Sequence, residues 1–213
     1  MRAEASPAGA FSAGVLCLGI LLAVSACGPM PKIIVLEDPL TADEHVALGV
    51  AYERKGELNL AAREYEGALK KDGASFQARF NLGNVRLAEK RYGEAREEYL
   101  RALVLRPGDP EATNNLAWAA ILSGAGREDA LRRMEAVLSD DARRSAPLLD
   151  TLGVLLGELS RPAEAEEVFA EALSRCGAGN PECTESVKEE ILEHREALRA
   201  RFREPAPPPS LVR

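Results

Sequence analysis

Residues 82–107 read LGNVRLAEKRYGEAREEYLRALVLRP, and this stretch decides the fold because its landmarks return along the chain. Its opening pair, Leu82-Gly83, has counterparts in Leu48-Gly49, Leu116-Ala117 and Leu152-Gly153, at spacings of 34, 34 and 36 residues. Twelve or thirteen residues after each Gly or Ala stands an alanine: Ala61, Ala95, Ala130 and Ala165. Four residues later comes a large side chain (Tyr65, Tyr99, Met134 or Phe169), and three beyond it Ala68, Ala102, Val137 or Ala172. Self-similarity at a period near 34 residues predicts an array of stacked helical hairpins, none of which buries its apolar face alone. Such arrays are usually binding scaffolds rather than catalysts.

The composition agrees. The chain has 213 residues, 46% of them apolar, enough to bury a core. Aromatic residues are only 5%, and the abundance of Ala and Leu suits close-packed helices. Charged residues make up 29%, with a formal net charge of -7. An acidic chain repels phosphate backbones, so nucleic acid is not an expected partner, and the charge reads as a solvated helical surface.

Residues 10–26 carry no charge, follow Arg2 and end in small residues, the pattern of a secretory signal. Within it, Val24-Ser25-Ala26-Cys27-Gly28 resembles the bacterial lipobox. That resemblance implies that Cys27 receives a diacylglyceryl group, becomes the mature N-terminus after cleavage and is acylated again. Residues 1–26 are then a signal peptide and 27–40 a lipidated leader. Each buried methylene contributes about 0.8 kcal/mol, so three acyl chains would hold the protein firmly. The alternative is an uncleaved anchor, for which 17 residues is marginal. Glu4 departs from the acid-free start usual in signals. Gly28 stands where the resemblance associates aspartate with inner-membrane retention, so the expected location is the periplasmic face of the outer membrane.

Cys17 would leave with the signal and Cys27 would carry lipid. Cys176 and Cys183 remain, and an even remainder in an exported chain suggests a disulfide. Closing so short a loop should stabilise the fold by about 2.5 kcal/mol in the chain-entropy model. A metal site or two free thiols are the alternatives. Zinc needs four ligands, and His45 and His194 have no ligand spacing to the cysteines, so neither metal nor cofactor is expected.

Pro29, Pro31 and Pro39 keep the leader from being helical. Inside it, Lys32-Ile33-Ile34-Val35-Leu36 is a β-prone island, either a strap on the first hairpin or a strand offered to a partner. Thr41-Ala42-Asp43-Glu44 is a capping box. The repeat domain spans 41–179, with hairpins at about 42–75, 76–109, 110–145 and 146–179. The third hairpin is expected to run to about Arg144, with its extra residues around Gly124-Ala125-Gly126. Pro107-Gly108 stops one helix and Asp109-Pro110 caps the next. Asn180-Pro181 is expected to start a capping helix over 180–203, pinned to the last hairpin by the cysteine pair. Residues 204–213 hold four prolines and read as disordered or polyproline-II.

These residues resemble the tetratricopeptide repeat over about residues 42–179. Gly49, Gly83, Ala117 and Gly153 match its small residue at the helix crossing, Tyr52 matches the large residue three later, and Pro107 its terminating proline. Arg86, Ala120 and Leu156 depart at the Tyr52 position. The fold this implies is all-α: a right-handed superhelical solenoid of four hairpins plus a C-terminal capping helix. The resemblance places the first helix of each hairpin on a concave face. Gln77, Asn81, Asn84 and Ala88 share one helical face, and Glu111, Asn114, Asn115, Trp118 and Leu122 repeat it one hairpin on. A carboxamide both donates to and accepts from an extended backbone. The candidate peptide groove is therefore Gln77, Asn81, Asn84, Asn114, Asn115 and Trp118. The alternatives are that the asparagines satisfy neighbouring backbone groups and that Trp118 is core. The carboxylate clamp of some family members is not expected, because the lysine pair is absent and Val46, Val50, Phe80 and Trp118 occupy much of that space.

No catalytic constellation is evident. Two histidines supply a nucleophilic triad poorly, and both read as surface residues. Gly124-Ala125-Gly126 lacks the Lys-Ser/Thr of a phosphate loop. Glu94, Glu97, Glu98, Glu164, Glu166 and Glu167 read as solvated helix faces. The expectation is a non-enzymatic, membrane-tethered adaptor that grips an extended segment of an envelope protein, in a pilus- or secretion-type assembly. The alternatives are a structural subunit using its convex face and an accessory module of a peptidase or export system.

Overall fold

The computed structural model describes residues 38–176 and 183–203. The signal, Cys27, the 33–36 island and the proline-rich tail lie outside the described residues. The chain divides into two compact units, Met1–Pro39 and Leu40–Arg213. The second unit is all-helical among the described residues. Its helices are α1 (Ala42–Arg54), α2 (Leu58–Lys71), α3 (Phe76–Ala88), α4 (Tyr92–Leu105), α5 (Pro110–Ser123), α6 (Arg127–Leu138), α7 (Ala146–Glu158), α8 (Pro162–Arg175) and α9 (Glu185–Phe202). The first eight pair as antiparallel hairpins that stack in chain order, as a tetratricopeptide solenoid does, and α9 lies against α7 and α8.

Local sequence sets most helix ends. The Thr41 hydroxyl accepts from the Glu44 N–H at 3.3 Å, while the Glu44 carboxylate accepts from the Thr41 N–H at 2.8 Å. Ser75 and Asp109 cap α3 and α5 in the same sense, accepting from Ala78 and Ala112. Pro110 fills a first-turn position where no N–H is needed. Gly56, Gly124 and Gly126 take positive φ at the bends, a region costly for side chains with a Cβ.

The hairpins close through one recurring couple. A Cβ added to Gly49 would lie 2.5 Å from the Tyr65 ring; at Gly83 it would lie 2.6 Å from Tyr99, and at Gly153 2.6 Å from Phe169. The ring therefore lies flush on the backbone of the first helix, and all three rings are almost fully buried. In the third hairpin both partners change together, to Ala117 and Met134, which share one buried cluster. An unbranched, flexible thioether leaves room for the methyl that a flat ring would not. Burying each such large side chain contributes about 1.5–3 kcal/mol. Arg86, standing where the first hairpin has Tyr52, ties α3 to neighbouring helices through Glu66 at 2.6 Å and Glu94 at 3.7 Å.

Two expectations about boundaries change. The third hairpin does not run to Arg144: α6 ends at Leu138, and a short 3-10 turn, Asp141–Arg143, carries the chain to α7. Of the two extra residues, one falls between Ala117 and Ala130, the segment that holds Gly124-Ala125-Gly126, and the other between Ala130 and Gly153, where the Asp140 carboxylate accepts from the Ala142 N–H and stabilises the turn. The capping helix starts at Glu185 rather than at Asn180-Pro181: Thr184 is its N-cap, and the Thr184 hydroxyl accepts from the Val187 N–H. Cys176, at the end of α8, is joined to Cys183, just before that cap, with 5.1 Å between Cα atoms.

Candidate functional site

The first helices of the hairpins, α1, α3, α5 and α7, carry the candidate groove. Its residues divide into a floor and a lining. Asn81 is floor: it is 6% exposed and its Oδ1 accepts from Gln77 Nε2 at 2.8 Å. In the preceding hairpin the Tyr65 hydroxyl donates to the Glu53 carboxylate at 2.7 Å. On the same helix as Asn81, Asn84 Oδ1 accepts twice, from the Tyr99 hydroxyl at 2.8 Å and, across to the next hairpin, from Asn115 Nδ2 at 2.9 Å. These carboxamides therefore join successive hairpins side chain to side chain, rather than by satisfying neighbouring backbone. Burial, and for Tyr65 the Glu53 carboxylate, raise both phenol pKa values well above the ordinary tyrosine range. Both hydroxyls thus stay protonated donors.

The lining is what solvent reaches. Gln77, Ala88, Glu111 and Leu122 are exposed, and Asn84, Asn114, Asn115 and Trp118 are half-buried. Leu122 is 49% exposed, unusual for a leucine in a packed array, and extends the stripe beyond Trp118. The Asn114 side-chain oxygen is buried and has no hydrogen-bond partner among the described residues. Trp118 is neither wholly core nor wholly lining: one side faces the imidazole of His194, with ring centroids 5.9 Å apart. Helix α9 thus reaches the stripe at its C-terminal end.

Both histidines depart from the expected surface role. His45 is 5% exposed, and its Nδ1 lies 2.8 Å from the Glu64 carboxylate. His194 is half-buried, with Nδ1 2.8 Å from Asp150 Oδ2. The hydrogen bond to Asp150 holds its pKa above the ordinary imidazole value, against the opposing effect of burial. Sequence periodicity points to this pair only in part: Asp150 falls one period after Asn114, but nothing local says that α9 supplies its partner. Two glutamates expected on solvated faces also work across helices. Glu98 is 9% exposed and binds Arg79 at 3.2 Å. Glu166 on α8 binds Arg195 and Arg199 on α9, which lower its pKa to about 2.

Residues 46–110 match the family model "Tetratricopeptide repeat". A type IV pilus assembly protein of Pseudomonas aeruginosa, PilF, is 24% identical over 164 residues, covering 77% of this chain and 51% of that relative. The chain thus aligns with about half the length of that curated relative. The solved structure of Pseudomonas aeruginosa pilF superposes with a TM-score of 0.57 at 24% identity, covering 75% of this chain and 72% of the other. YrrB, described as a TPR protein with an unusual peptide-binding site, superposes with a TM-score of 0.60 at 17% identity, covering 75% and 77%. Residues 46–110 are tetratricopeptide repeats by that match, and the hairpin array built around them has the tetratricopeptide-repeat fold.

Proposed function

We propose that this chain is a non-enzymatic adaptor that holds an extended segment of an envelope protein along the stripe formed by α3 and α5. The observation that carries this reading is the layered stripe. Gln77, Asn84, Asn115, Trp118 and Leu122 remain open above a floor fixed by Asn81, Tyr65 and Tyr99. A pre-organised floor lowers the ordering cost of binding, and carboxamides beside an indole and a leucine suit a peptide main chain with an apolar side chain. The likeness to a pilus assembly protein and to a repeat protein with a peptide-binding site supports this class of role. In this proposal Cys27 carries the lipid, the periplasmic face of the outer membrane is the location, and a pilus or secretion assembly supplies the client. The predicted groove of Gln77, Asn81, Asn84, Asn114, Asn115 and Trp118 remains the proposed site, with Leu122 added and Asn81 moved to a supporting role.

The test is affinity capture from membranes with the lipidated chain and mild crosslinking. One dominant envelope protein, lost in Gln77→Ala/Leu122→Asp but retained by wild type, is the expected result. Asn81→Ala is a poor probe because that side chain is buried beneath the stripe rather than offered to a client. A second reading has its own observation: Val104, on the second-helix side, is 78% exposed. A structural subunit using that face would lose its complex in Val104→Asp and keep it in the stripe variant.

A further inference from the structure

We propose that Asp150, Glu190 and His194 form a binding site for a zinc-class divalent cation that clamps α9 onto α7. Glu190 and His194 are four residues apart on α9, so they present a shared face. Asp150 meets them from α7, and one ligand atom from each residue lies within 4.8 Å of the others. The independent observation is at Asp150. Its carboxylate is 5% exposed, and His194 satisfies only Oδ2, at 2.8 Å. The other oxygen, Oδ1, is buried with no hydrogen-bond partner among the described residues. A buried carboxylate oxygen without a donor is costly and uncommon, and a cation beside it removes that cost.

The donor set selects the class of cation. One imidazole nitrogen and two carboxylates are three donors of the types zinc binds, leaving a fourth coordination position for water. Calcium takes six to eight oxygens, more than this cluster provides, and magnesium favours carboxylate and water oxygens over an imidazole nitrogen. Zinc–ligand bonds of about 2.0–2.2 Å place donors slightly farther apart than the present Asp150–His194 contact. A small opening of that pair and a rotamer change at exposed Glu190 would supply the difference. On uptake, His194 Nδ1 exchanges its hydrogen bond to Asp150 for the metal, and the proton of that hydrogen bond passes to solvent. Cys176 and Cys183, joined to each other, do not compete for the ion.

Trp118 is the only tryptophan in the chain, and its ring centroid is 5.9 Å from that of His194, so its fluorescence reports directly on this site. The full chain, stripped by chelator and kept non-reduced, is titrated with Zn2+ alone and, separately, with Ni2+ as a paramagnetic quencher. The expected result is a saturable one-equivalent change in Trp118 emission and a Zn2+-dependent rise in Tm. Glu190→Gln, an exposed position that leaves the apo melt unchanged, should weaken binding by about tenfold or more. Glu193→Gln, on the same helix but outside the cluster, should leave it unchanged. No saturable response in wild type, or equal binding by wild type and Glu190→Gln, overturns the proposal. His194→Ala is read only after its apo melt shows α9 still docked; zinc binding retained in that variant would also overturn it.

Discussion

At the scale of single residues, the array depends on how closely a ring can approach a helix. Gly83 exists for Tyr99: with any Cβ there, the ring meets an atom at 2.6 Å and must shift against the neighbouring hairpin. Gly83→Ala is therefore expected to cost about 1–3 kcal/mol, despite the gain in helix propensity. Ala117→Gly, in the hairpin where Met134 replaces the ring, should cost only about 1 kcal/mol, mainly backbone entropy. Urea midpoints of the two variants check this, and equal losses would sink the idea of a matched couple. Tyr99→Phe removes one of the two donors to Asn84 and should cost about 1 kcal/mol. A loss of similar size in Tyr99→Phe made on an Asn84→Ala background would show that the hydroxyl acts elsewhere.

At the scale of elements, α9 packs as a cap on the last hairpin. Ile191 and Leu198 bury its apolar side, and a Cβ on Gly157 would lie 2.7 Å from Leu198, so that glycine makes the close seat possible. Around this seat, Glu166 binds Arg195 and Arg199, and Glu158 binds both Arg201 and, at 2.8 Å, Arg127 of α6. Glu166 has a pKa lowered to about 2 by the two guanidinium groups. In the unfolded chain it would titrate near 4.3. Its contribution is therefore fully present above about pH 4.3 and lost as pH falls toward 2. Because the carboxylate is a third exposed, screening reduces that contribution to about 1 kcal/mol. Glu166→Gln should thus lower stability at pH 7 and match wild type near pH 2; a gap that persists at low pH would argue against the ion pairs. Cys176→Ser should cost about 2.5 kcal/mol by releasing the loop before α9. The check is a thiol count on the native protein together with its denaturation midpoint.

At the scale of the whole array, stability is a sum of neighbouring contacts, so damage should stay local. The apolar core falls into successive clusters, and the one that includes Ile191 and Leu198 reaches back only to Ala117 of α5. Ending the chain before Thr184 is therefore expected to raise amide exchange in α7 and α8 strongly and in α1 and α2 hardly at all. Uniform loss of protection would show that the array unfolds as one unit. The same modularity separates the two functional readings, because substitutions at Leu122 and Val104 lie in different hairpins and should not disturb each other.

The sequence by itself determined the hairpin period, the recurring small and large positions, the caps at Thr41 and Asp109, and the stripe shared by Gln77, Asn84, Asn115 and Trp118. These are local or strictly periodic, and helix geometry alone places residues four and seven apart on one face. Only the tertiary structure decided which of those residues remain available. Asn81 sinks to the floor, where its Oδ1 is claimed by Gln77, and Trp118 is half covered because α9 folds back beside it. His194 and Asp150 are 44 residues apart in sequence, and Glu166 is 29 from Arg195. Neither pair follows the repeat period, since α9 carries none of its landmarks. Their meeting is a consequence of how the last hairpin is capped, and no local pattern in the chain records it.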